Sequence, residues 1–148
     1  MTERFKPKEK DMEAGKNEIV ATMFSEMGAK ERVERAEAIV YGISSLMVMA
    51  HGQSARSGFY DGAPFNLAEK IALIHSELSE ALEFARRGPI NETMSEKIPD
   101  FTGVEEELAD VLIRVGDLAA ALDLDLDRAV LAKMSYNASR AYKHGKKF

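Results

Sequence analysis

Cysteine is absent from this chain, which excludes a disulfide framework and a thiolate metal site and fits a reducing cytosol. Only four prolines and ten glycines interrupt its 148 residues, and β-branched residues are few, so helix is favoured throughout. Long apolar runs are missing too. The longest, Leu46 to Ala50 with Ile43 before it, falls far short of the roughly 20 residues that span a bilayer. The N-terminus lacks the charged-then-apolar form of a signal peptide, so a cytoplasmic protein with no membrane partner is expected. A net charge of -5 argues against a dedicated nucleic-acid binder, although basic residues gather between Lys133 and Lys147 and suggest a local anion site.

Several common chemistries are missing as well. None of His51, His75 and His144 has a Glu three residues before it, so the Glu-x-x-His pairs of a di-iron bundle are not there. The glycine-rich phosphate cradles G-x-x-x-x-G-K-[ST] and G-x-G-x-x-G do not occur, nor do Gly-x-Ser-x-Gly and His-Glu-x-x-His.

What remains is a helical domain. Hydrophobic residues at 45% and charged residues at 30% describe a soluble globular chain of about one domain. Residues 1–29 read as a loose charged arm followed by a short amphipathic helix, Asn17 to Met27, whose Met23, Phe24 and Met27 suit a core or interface. Residues 30–148 form the domain proper, expected to be all-α and bundle-like, with helices at about 30–51, 66–87, 103–122 and 126–143. The first carries Val33, Ala36, Val40, Ile43, Met47 and Ala50 on one stripe, and Gly42 would allow a close helix contact. Gly52 to Pro64 is a loop by composition; its Phe59 and Tyr60 would either stack on a nucleobase or pin the loop to the core. Asn66 with Glu69, and Thr102 with Glu105, carry capping-box spacing, and Asp125 is placed to cap the last helix. Pro89 to Asp100 is a polar connection, either a lid or a plain linker.

Two acidic pairs stand out on this frame. Glu77 and Glu80 share one face of the second helix, at the edge of an apolar stripe formed by Ile71, Ile74, Leu78, Ala81 and Ala85; Glu83 falls on the solvated row. Glu107 and Asp110 begin a row continued by Arg114 and Asp117 on the third helix. Apolar rows flank it on both sides, Leu108, Val111, Val115 and Leu118 on one and Ala109, Ile113, Gly116 and Ala120 on the other. Such a helix is expected to be buried on both flanks, with its polar row facing an enclosed space. Four carboxylates meeting there would repel one another and take raised pKa values, for which bound cations are the usual remedy. Oxygen ligands without His or Cys suit Mg²⁺, with Mn²⁺ as the other choice. His75 lies one helical step from the acids and reads as structural before it reads as a ligand. On the last helix Lys133, Asn137 and Arg140 share a row that is either a favourable C-terminal charge pattern or a reader of phosphate and hydroxyl groups.

Glu77-x-x-Glu80, a spacer of 26 residues and Glu107-x-x-Asp110, followed downstream by Lys133-x-x-x-Asn137-x-x-Arg140, resembles the signature of the MazG-like all-α nucleoside triphosphate pyrophosphohydrolases. The stretches 73–83, 106–114 and 133–148 look like that family's blocks, and the likeness covers residues 36 to 148. The resemblance implies Mg²⁺ held by Glu77, Glu80, Glu107 and Asp110, and hydrolysis of a (deoxy)nucleoside triphosphate to monophosphate and pyrophosphate, as in nucleotide-pool house-cleaning. Glu80, or else Glu77, would take the proton of the attacking water. Lys133, Asn137 and Arg140 would orient phosphates and sugar, with Lys143 and Lys146 as outer electrostatic help. Dimeric dUTPase-like members carry an extra acid directly before the first motif; Ser76 stands there in this chain, which removes the ground for a third metal and leaves the pair untouched. A homodimer or homotetramer is expected, since Ala109, Gly116 and Ala120 would permit close contact with a second subunit. Two other readings compete: a pyrophosphohydrolase acting on a phosphoribosyl-nucleotide, and a non-catalytic helical interaction protein.

Overall fold

The computed structural model describes residues 27–62 and 64–140, so the expected N-terminal helix, His144, Lys143 and Lys146 lie outside the described residues. The described chain is all-α. Its helices are α1 (Ala29–Arg56), α2 (Leu67–Arg87), α3 (Gly103–Ala121) and α4 (Leu126–Ala138). Among the described residues there is no strand, only one isolated antiparallel bridge between Met94 and Thr102, and no helix long and apolar enough to cross a membrane.

Two compact units divide the chain, one drawing on residues up to Ser44 and from Asp125 onward, the other spanning Ser45–Leu124. In the first, Ala36 and Leu131 are buried with Ile39 and Val40 packed against them. Ser44 Oγ donates to Asp127 Oδ2 at 2.6 Å. Asp125 occupies the N-cap position of α4 but makes no capping bond through its side chain. Helix α4 stops at Ala138, short of the expected 143. Ser139 Oγ donates to Tyr136 O and Arg140 N to Asn137 O at 3.2 Å, local bonds that compete with continuation of the helix.

In the second unit, α1 runs past Gly52 to Arg56, so the expected loop begins five residues late. Interior glycine costs a helix only about 1 kcal/mol, which tertiary contacts easily offset. The stop signal is Gly58, whose φ of 80° is left-handed. Phe59 N–H donates to Ser54 O at 3.2 Å and Gly58 N–H to Ala55 O at 3.1 Å, the paired bonds of a glycine-closed helix end. Gly42, by contrast, has no neighbour among the described residues near the place of a Cβ. Gly116 does mark one, but within the chain: a Cβ there would lie 3.4 Å from Leu46 Cγ and 3.5 Å from Ala50 Cβ of α1. It is therefore not a free surface for a second subunit.

Helices α2 and α3 form the pair that matters most. Thr102 and Glu105 close a full capping box at the start of α3, while Asn66 accepts from Glu69 N at 3.3 Å at the start of α2. Residues 88–102 are not a loose linker. Ser95 N donates to Phe101 O and Gly103 N to Thr93 O, both at 2.9 Å, and buried Ser95 Oγ donates to Glu106 Oε2 at 2.5 Å.

Burial on this pair follows the expected faces only in part. Glu77 and, from the expected apolar stripe, Ala81 are the buried residues of α2, while Ile71 and Leu78 of that stripe are exposed. On α3, Glu106, Glu107 and Asp117 are buried, while Leu108, Leu112 and Ile113 face outward. The helices meet through their acidic rows because the residues that permit close approach, Ala81 and Gly103, lie on those faces. Of the flanking apolar rows, Leu108, Ala109 and Ile113 are left on the outside of the single chain, while Gly116 is buried and Val111, Val115, Leu118 and Ala120 are half-buried.

Candidate metal centre

One carboxylate oxygen from each of Glu77, Glu107 and Asp110 falls within 4.8 Å of the others. Glu77 comes from the middle of α2 and the other two from successive turns of α3, so the helix pairing itself assembles the group. Glu107 is 1% exposed, and its Oε2 has no hydrogen-bond partner. A buried acceptor left bare costs a fold about 1–3 kcal/mol, so an unfilled valence at this point is informative. Burial pushes the Glu107 carboxyl up to about 7, helped by its hydrogen bond with Glu77 and the charge of Glu80. Glu80 itself is exposed and outside the group of three, near enough for its charge to act on Glu107. His75 is exposed and is no part of the group.

Cations rim the cluster. Arg114 Nη2 lies 2.6 Å from Glu77 Oε1. Lys97 Nζ lies 2.7 Å from Glu106 Oε1, and its hydrogen bond, with that of Ser95, holds the Glu106 carboxyl below the usual range. Glu106 is thus a structural anchor for the 88–102 segment, although it adjoins Glu107 in sequence.

Beside the cluster opens a cleft of roughly 190 Å³ lined by Gln53, Ser54, Ser57, Phe59, Lys70, Leu73, Asp110, Ile113, Arg114 and Asp117. The two aromatics of the 57–62 segment part company here. Phe59 is 73% exposed and lines the cleft, whereas Tyr60 turns inward and donates to Asp117 Oδ1 at 2.6 Å. Asp117 also accepts from Lys70 Nζ at 3.2 Å and pairs with His51 Nδ1 at 2.9 Å. Burial raises the Asp117 carboxyl, but the bonds from Tyr60, His51 and Lys70 outweigh it and hold the group ionised below its ordinary pKa. Burial, and then the bond to Asp117, push the Tyr60 phenol well above its usual value. Lys70 additionally lies over the Tyr60 ring, 4.4 Å from its centroid.

This second network was not read from the sequence as a site. Its signal was the row Glu107, Asp110, Arg114, Asp117, whose last two members complete the cluster's cation and the anchor of the cleft. Lys133, Asn137 and Arg140 belong to the other unit, Lys133 and Asn137 on α4 and Arg140 just beyond its end. There Lys133 and Arg140 sit over the exposed ring of Tyr136, at 4.8 and 5.9 Å from its centroid.

Fold and site thus define an all-α chain carrying an oxygen-only carboxylate cluster next to a mixed polar and aromatic cleft. No family model, curated protein or solved structure matches the chain.

Proposed function

We propose that this chain is a Mg²⁺-dependent pyrophosphohydrolase of the MazG-like kind, cleaving a nucleoside triphosphate to monophosphate and pyrophosphate. The carrying observation is Glu107: a buried carboxylate with an unpartnered oxygen, facing Glu77 and Asp110. An all-oxygen donor set of this kind suits a hard divalent ion, Mg²⁺ or Mn²⁺, and Glu77, Glu107 and Asp110 would hold it, with Glu80 at the rim. The ion supplies charge neutralisation at the phosphates and acidifies a water.

The chain's own residues do the rest. Glu80 is exposed and has no ion-pair partner among the described residues, whereas Glu77 is one of the three converging acids, so Glu80 is the freer proton acceptor. Phe59 offers a stacking face in the cleft, and Gln53 and Ser54 offer hydrogen bonds for a base or sugar. Lys133, Asn137 and Arg140 keep the role the resemblance implies, a reader of phosphates and hydroxyls. A homo-oligomer completes the reading: Leu78, Leu82, Leu108 and Leu112 are 44, 50, 46 and 58% exposed, more apolar surface than a lone helix pair normally leaves to water. Light scattering at micromolar concentration tests that part, and a monomer contradicts it.

A panel of nucleoside triphosphates and phosphoribosyl-nucleotides, assayed with and without Mg²⁺ and with product identification, tests the activity. Monophosphate and pyrophosphate from a triphosphate support the proposal. Turnover of the phosphoribosyl compounds alone favours the competing enzyme, and no turnover of any compound favours the interaction protein.

A further inference from the structure

Arg114 is placed where a metal ion would have to compete with it. Its Nη2 is 2.6 Å from Glu77 Oε1, and the Glu77 side chain is only 7% exposed. Glu77 is one of the three acids whose oxygens converge, and the cluster's other nearby cation, Lys97, is tied to Glu106. The unpartnered Oε2 of Glu107 shows that the guanidinium satisfies the cluster only in part. Arg114 also lines the cleft beside the acids, together with Asp110 and Lys70, and stays 39% exposed. Its planar fork has five N–H donors, more than one carboxylate oxygen can use.

Resting on the metal reading above, we infer that Arg114 is an internal counter-ion of the cluster, which a divalent ion displaces from Glu77 and which then holds the substrate's phosphate in the cleft. Two cations on one buried carboxylate repel, so metal and guanidinium oppose each other at Glu77. By linkage that opposition is reciprocal. The released fork belongs to the lining of the cleft, where an incoming phosphate meets it bidentately. The chain thereby couples the two ligands in order: metal frees the group that binds phosphate. Without metal, the phosphate-binding group stays engaged.

The test is calorimetric, on the full chain, with Mn²⁺ alone and then with inorganic pyrophosphate at saturating Mn²⁺. Arg114→Met should bind Mn²⁺ roughly tenfold more tightly and pyrophosphate roughly tenfold more weakly, within the usual range of coupling between two ligands. A merely structural arginine would weaken both together. Arg114→Lys keeps the charge without the fork, so its Mn²⁺ affinity should stay near wild type while pyrophosphate binding falls. That variant decides the matter if Arg114→Met does not fold. Unchanged or weaker Mn²⁺ binding by Arg114→Met, or unchanged pyrophosphate binding by both variants, overturns the inference and leaves the metal site standing. A wild-type chain that binds no Mn²⁺ overturns the metal reading and this inference with it.

Discussion

Gly103 stands so close to the ring of Phe84 that a Cβ at that position would overlap its Cδ1. This approach sets the spacing of α2 and α3 at the end where α3 begins. Glu107 follows Gly103 by about one turn, and Glu77 precedes Phe84 by about two, so the same contact governs how the acids meet. Gly103→Ala must push the ring aside or part the helices. It should lower stability by about 1–3 kcal/mol in urea denaturation. A variant as stable as wild type would mean the approach is not a constraint.

The metal-free protein should show an inverted pH response. Glu107 has a folded-state pKa raised to about 7 from an ordinary 4.5, chiefly by burial. Between those values the folded form binds its proton more tightly than the unfolded form. The stabilisation is therefore complete below the ordinary value, declines as pH rises toward 7, and is lost above it. Its full extent is on the order of 3 kcal/mol. Melting temperature in chelator should rise as pH is lowered from 7.5 to 5.5, and Mg²⁺ should flatten the trend. A melting temperature that falls on acidification in chelator would contradict this account of Glu107.

Asp117 behaves in the opposite sense. Its carboxyl is held below its ordinary pKa by three donors, so its contribution is present at neutral pH and disappears as pH falls through the folded value. Asp117→Asn keeps the shape and removes the charge that His51, Tyr60 and Lys70 share. A loss of about 2 kcal/mol is expected for such charged hydrogen bonds. In an ultraviolet titration the raised Tyr60 transition should move down toward the ordinary tyrosine range. No movement would show that burial alone sets the phenol.

The helices were legible because apolar spacing, Thr102 with Glu105, and the polar 88–102 stretch are local signals, and local signals survive folding. The acidic pairs were legible for the same reason. What spacing does not reveal is which of two adjoining faces turns inward. Of the apolar stripe on α2, Ala81 is buried while Ile71 and Leu78 are exposed, and Glu77 at its edge is buried because Ala81 and Gly103 let the backbones close on the acidic side. Glu80, one turn on from Glu77, is exposed. The end of α1 was misplaced because Gly52 and Gly58 look alike in sequence, and only Gly58 takes the left-handed conformation that stops a helix. Tyr60 and Asp117 are 57 residues apart, and nothing local announces that bond.

The central claim is that Glu77, Glu107 and Asp110 act as one metal-holding group and not as separate charges. It is tested most directly by Mg²⁺-dependent pyrophosphate release from nucleoside triphosphates in wild type, Glu107→Gln and Glu83→Gln. Glu83 lies on the exposed face of α2, where it pairs with Arg86, and serves as the control. Glu107→Gln should abolish release, since a neutral amide cannot replace an anionic ligand, and should also melt at a higher temperature in chelator because a buried like charge is gone. Glu83→Gln should retain both the activity and the Mg²⁺ response. Full Mg²⁺-dependent release by Glu107→Gln, or equal loss in the two variants, would contradict the account.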